Sequence, residues 1–237
     1  MLKDRHPDWK WRKPLPASDT DLLRAHSREH VEGIANALEP FDPDTPGYPD
    51  IQFHARRAAG AAIEATCSAL GGEAAFSFMR PPGHHATRDR AMGFCYFSNA
   101  AVAALDAVER GAQRIAIWDF DGHHGNGTEA IVAHNELIRF ASIHQFPAYP
   151  GTGAKSFANI DNYPVAPYTP REAILNVARR SFDKLIGWEP DLLLVSAGFD
   201  AFARDPLLQL TLEPEDFTRL GEWLTEIDVS IDRKSVV

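Results

Sequence analysis

Several strand-length runs in this chain are apolar nearly from end to end, and that limits the fold more than any other feature. The runs cover 74–79, 114–118, 137–143 and 191–195. A strand with one wet face alternates apolar and polar residues; a run apolar throughout needs cover on both faces. Helical stretches fall between these runs. Gln52 to Leu70 is Ala-rich and stops at Gly71-Gly72, and Ser98 to Arg110 is followed by Gly111. Thr169-Pro170-Arg171-Glu172 has the form of a capping box with proline in the first turn, opening a helix to about Ile186. Pro214 to about Ile227 reads as the last helix. The alternation predicts an α/β domain with a central, mostly parallel sheet and helices on both faces. The four prolines between Glu39 and Asp50 mark a loop, not a domain boundary, so residues 1–237 read as one domain.

Composition removes some classes of function. With 44% hydrophobic residues the chain can bury a full core. No stretch approaches the eighteen apolar residues of a membrane span, and Met1 to Lys13 lacks the apolar middle of a signal peptide; a cytoplasmic location is expected. Cys67 and Cys95 are too few for a disulfide framework or a thiolate zinc cluster. A net charge of −9 argues against direct nucleic-acid binding, which needs a basic face.

In parallel sheets ligands bind beyond the carboxyl ends of the strands. Three polar loops occupy those ends here: Arg80-Pro81-Pro82-Gly83-His84-His85, Asp119-Phe120-Asp121-Gly122-His123-His124 and Ala197-Gly198-Phe199-Asp200. Asp121 and His123, spaced by two, can reach one ion, and Asp200 can approach from the neighbouring loop. Three protein ligands leave a coordination position open, as in a catalytic zinc site. A lone Asp-x-Asp would more often cap a helix or close a turn; the company of the other two loops favours the metal. His84 and His85 are suited to moving protons, with Asp119 and Asn126 available to orient their rings. Gly93-Phe94 and Tyr149-Pro150-Gly151 each set an aromatic beside glycine, and such rings could line a narrow channel or pack in the core.

The segments RPPGHHA (80–86), GFCYFSNAA (93–101), DFDGHHGNGT (119–128), SIHQ (142–145), YPGTG (149–153) and SAGFDA (196–201) together resemble the histone deacetylase and acetylpolyamine amidohydrolase superfamily, in its class II-like or bacterial branch. The resemblance implies an arginase/deacetylase-type three-layer fold and a zinc ion held by Asp121, His123 and Asp200. It implies a catalytic pair, His84 and His85, backed by Asp119 and Asn126. Phe94 and Tyr149 match channel-wall positions, Gly93 a backbone contact to substrate, and Asp44 a rim aspartate that grips it. A structural potassium ion near Asp119, Asp121, His123, Ser142 and Ile143 is also implied. The implied reaction is hydrolysis of the amide of an acetylated lysine peptide, polyamine or small acetylated amine.

The sequence departs from this pattern at both ends. The opening strand has no counterpart in Met1 to Lys13, and none of the tyrosines 48, 96, 149, 163 and 168 lies in a Gly-Gly-Tyr motif, which supplies an oxyanion donor in the family. Losing such a donor costs about 10²–10³ in rate. The expectation is therefore a domain incomplete at the N-terminus and lacking the C-terminal Gly-Gly-Tyr segment, with impaired activity and exposed sheet edges that favour self-association. The competing readings are a non-catalytic module that binds zinc and the acyl group, and a two-manganese ureohydrolase, which would want more bridging carboxylates.

Overall fold

The computed structural model describes residues 2–227 and 234–236. In chain order the elements are α1 (Leu2–Arg5), α2 (Asp19–Leu23), α3 (Arg28–Ala35), α4 (Ile51–Leu70), β1 (Ala75–Phe76), α5 (Asn99–Glu109), β2 (Ile115–Asp119), α6 (Asn126–Val132), β3 (Ile138–Gln145), β4 (Ile160–Val165), α7 (Arg171–Ile186), β5 (Leu192–Ser196), α8 (Pro214–Glu226) and β6 (Lys234–Val236). The strands form one sheet in the order β1-β6-β5-β2-β3-β4, and every pairing is parallel.

The all-apolar strands are explained by how they divide their side chains. Along β2, Ile115 and Ile117 face a core shared with α4 and α5, while Ala116 and Trp118 face one shared with α7 and α8. Leu192 and Leu194 against Leu193 and Val195 repeat the division in β5. Period-two geometry thus sends successive residues to opposite faces, both of them dry. Trp118 is wholly buried, and its indole N–H donates to Ser181 Oγ at 2.9 Å, which satisfies the one polar atom it brings inside. Asp119 pairs in register with Ser142 on one side and Ser196 on the other. The carboxyl ends of β2 and β5 are therefore level, and the loops that leave them start side by side, while β3 runs on to Gln145.

Two local expectations are corrected. The run 74–79 is not a buried strand: only Ala75–Phe76 pairs, with β6 alone, and Phe76 and Phe78 are exposed. They stack with Trp9 and Trp11 instead of lying under a helix. No capping box forms at 169–172: Pro170 itself is the N-cap, Thr169 Oγ1 donates to Ala166 O at 2.8 Å, and Glu172 accepts from Arg219. The box forms at α8, between Glu213 and Asp216. On α4, Arg56 is pinned between Ala17 O (3.2 Å) and Asp19 (2.6 Å), tying the helix to the start of α2.

Candidate active site

β2 ends on Asp119, and the site is built outward from that wholly buried carboxylate. Its Oδ1 accepts the Asp121 N–H at 3.1 Å, and its Oδ2 lies 3.1 Å from His84 Nδ1. Gly125 makes room for this arrangement, because a Cβ there would overlap Asp119 Oδ2. The backbone then turns sharply. The His123 N–H donates to Asp121 Oδ1 at 2.9 Å, and the Gly122 N–H donates to Asp200 Oδ1 at 2.7 Å, joining the β2 loop to the β5 loop. Gly198 is needed on the other side, since any Cβ would run into the Asp121 carboxylate.

These bonds bring Asp121, His123 and Asp200 together, with one donor atom from each lying within 4.8 Å of the others. His123 Nδ1 is 2.6 Å from Asp200 Oδ2 and 3.5 Å from Asp121 Oδ1. Burial opposes protonation of His123, but its hydrogen bonds to Asp121 and Asp200 outweigh that and push its pKa up to about 10. Burial and the neighbouring Asp121 raise the Asp200 carboxyl, while Asp121 stays below the usual range because His84 and His123 overcome its own burial. Two carboxylates and an imidazole nitrogen converging from two loops fit a divalent cation of the zinc type, whose charge they would cancel.

His84 and His85 lie behind this cluster with ring centroids 4.0 Å apart. Their outer nitrogens have different partners. His84 Nδ1 donates to the Asp119 carboxylate; His85 Nδ1 donates to the Asn126 amide oxygen at 2.7 Å. Burial works against a charge on His84, yet Asp121 and Asp119 raise its pKa to about 9. His85 has burial and the His84 charge acting together and falls to about 2. One ring is held as a proton donor and the other as an acceptor.

The rest of the predicted set is placed as follows. Gly93 (φ +55°) and Phe94 (φ +66°) are left-handed, and a Cβ on Gly93 would press into the His85 ring at 2.6 Å. The Tyr149 ring meets the His85 ring edge-on at 5.1 Å. Phe94 and Tyr149 are both more than two-fifths exposed, so neither is a core residue. Asp44 is exposed, and its N–H donates to Asp42 Oδ1 at 3.0 Å. Asp42 is the residue that sequence reasoning missed: its Oδ2 accepts the Gly93 N–H at 3.0 Å and so fixes the backbone at Gly93-Phe94. Of the residues expected around a potassium ion, Ser142 uses its Oγ on His144 Nδ1 at 2.9 Å.

A second group was also missed. His124, buried beside His123, sits between Thr152 Oγ1 (2.7 Å) and Glu129 Oε2 (3.0 Å). Glu129 in turn accepts from Asn162 at 2.6 Å, and a Cβ on Gly153 would strike both His124 and His144. This network fastens the loop that carries Tyr149 to the loop that carries the cluster. The available signal was Glu129 itself, an acid in the same run as the histidines.

Comparison with known proteins agrees with this geometry. A histone deacetylase domain model matches residues 2–237, and the chain belongs to the histone deacetylase family. It is 43% identical over 235 residues to an uncharacterized protein of Synechocystis, covering 92% of this chain and 76% of that protein. It is 38% identical over 223 residues to a histone deacetylase-like amidohydrolase of Pseudomonas aeruginosa, covering 87% of this chain and 58% of that one. Acetylpolyamine amidohydrolase 2 of the same organism is 37% identical over 173 residues, or 68% of this chain and 50% of its own length. Among solved structures, the HDA15 HD domain superposes with a TM-score of 0.86 at 31% identity, covering 95% of this chain and 68% of that chain. The fold is the α/β architecture of these deacetylases. The chain spans about half to three-quarters of the length of these relatives.

Proposed function

We propose that the chain is a zinc-dependent amidohydrolase acting on an acetylated lysine peptide, polyamine or small acetylated amine. The observation that carries this reading is the convergence of an acceptor–donor histidine pair on a three-ligand cluster at the carboxyl ends of β2 and β5. Asp121, His123 and Asp200 would hold the metal. When bound there, zinc supplies a Lewis acid for the acyl carbonyl and lowers the pKa of a water. The chain's residues do the rest. His85 Nε2 is free to accept a proton, because Asn126 holds Nδ1–H and thereby fixes the tautomer. His84, charged between Asp119 and Asp121, can deliver a proton to the departing amine. Tyr149 and Phe94 would flank an alkyl chain and exclude water from its length. The Asp119–Ser142 rung of the sheet is where the family's structural potassium ion would sit. The proposed setting is the cytoplasm, and no helix among the described residues is long and apolar enough to cross a membrane.

A second reading, a module that holds the metal and the acyl group without turnover, is favoured by the tyrosines. Only Tyr149 has ring contacts with His85 and His123 among the described residues, and no hydrogen bond of its hydroxyl to either is formed. Zinc-loaded protein assayed with acetyl-lysine and trifluoroacetyl-lysine peptides and with an acetylated polyamine separates the two. Hydrolysis that vanishes in Asp121→Ala supports the enzyme. One zinc per chain with no turnover on any of them favours the binding module.

A further inference from the structure

Gly93 touches the catalytic side of the wall, but its neighbour borders a different space. Phe94 lines a second pocket of 280 Å³ together with Tyr48, His54, Arg80, Pro81 and Tyr96. Phe94, which lines the pocket, directly follows Gly93, where an added Cβ would meet the His85 ring. The pocket's apolar surface comes from Pro81, Pro82 and the rings of Tyr48, Phe94 and Tyr96. Of its polar side chains, one is already paired and three are not. The Tyr96 hydroxyl is committed to Pro46 O at 2.6 Å. The side chains of Tyr48, His54 and Arg80 make no hydrogen bond or ion pair among the described residues. This chain has 33 acidic residues against 24 basic ones, so Arg80 is not unpaired for want of acids. A guanidinium has five donors and no acceptor, in a fork that matches a carboxylate.

We propose that this pocket is a substrate subsite for a carboxylate carried at the far end of the alkyl chain from the scissile amide. The inference rests on the amidohydrolase reading above and narrows it. An acetyl-lysine whose α-carboxylate is free has an anion at that end of its side chain. An acetylated polyamine has ammonium groups there, which Arg80 repels. At about 30 Å³ per water the pocket holds roughly nine waters, room for a carboxylate and a few attached atoms.

The test compares two Nε-acetyl-lysine peptides of one sequence, ending at the acetyl-lysine as free acid or as carboxamide. Wild type should prefer the acid in kcat/KM by about five- to tenfold, a preference that weakens with salt. Arg80→Gln should bring the ratio close to one, and His54→Gln should reduce it. Equal kcat/KM for the two peptides in wild type, or a preference undiminished in Arg80→Gln, overturns the subsite. If neither peptide is hydrolysed the amidohydrolase reading fails, and titration calorimetry with the same two peptides still decides the pocket. Tighter binding of the acid that is lost in Arg80→Gln supports it; equal binding in wild type overturns it.

Discussion

Among the buried histidine pairs whose rings lie together in the described residues, two have opposite surroundings. His26 and His30, 4.9 Å apart, are held by backbone: Thr87 O and the Ser98 N–H on His26, Tyr96 O on His30. His84 and His85, 4.0 Å apart, are held by side chains, a carboxylate on one and an amide on the other. Burial, then the neighbouring His30, pushes His26 down to about 3, and burial lowers His30 as well. His84, equally buried, goes up to about 9 because acids surround it. Burial alone makes a histidine an uncharged core residue. A carboxylate on one ring and an amide on its neighbour give a pair that can both donate and accept a proton.

The comparison breaks most sharply on activity. His85→Ala should lower kcat by about 10²–10⁴ while one zinc per chain is retained, whereas His26→Ala should leave kcat/KM of the folded protein within a few-fold. Equal losses in the two variants would remove the distinction. On stability the order reverses. His26→Ala strands the Ser98 N–H and the Thr87 carbonyl and should cost about 1–3 kcal/mol by urea titration. Because folded His26 titrates at about 3 and an unfolded histidine near 6.5, the unfolded state binds the extra proton between those values. Stability from this group is complete above about pH 6.5 and is lost as pH falls towards 3. His26→Leu should flatten that part of the profile; an unchanged acid limb would show that His26 does not govern it.

Smaller effects sharpen the picture of the active pair. Glu129→Gln loosens His124 and, through Thr152, the loop of Tyr149, and should lower kcat/KM by about tenfold. Most of that loss should appear in KM; a loss confined to kcat would place Glu129 in proton transfer instead. Asn126→Asp gives His85 the kind of partner His84 has, so its pKa should rise. His85 must be neutral to accept a proton, so the acidic limb of kcat/KM should move up by about one pH unit or more. A limb that stays in place would assign it to another group.

Much of this was legible in the chain. Strands β2, β3 and β5 announce themselves because both their faces are dry, and the cluster residues follow them directly. β4 was not legible: Asp161, Asn162 and Pro164 interrupt its pattern, and it pairs with β3 alone, as an edge strand can afford to do. The stretch 74–79 misled for the converse reason. Its apolar residues read as core, but in the folded chain they stack on Trp9 and Trp11 at an exposed edge. Asp42 and Glu129 escaped because their roles depend on partners 51 and 33 residues away, Gly93 and Asn162, and no local spacing encodes those meetings. Arg80 was quoted only as part of a motif; its lack of a partner is visible only in three dimensions.

The central claim is that Asp121, His123 and Asp200 hold one zinc ion that amide hydrolysis requires. Elemental analysis of wild type and Asp121→Ala, with acetyl-lysine peptide turnover measured on the same samples, tests it most directly. The account predicts one zinc per chain and hydrolysis in wild type, with both lost in the variant. No zinc in wild type, or two manganese ions, would contradict it.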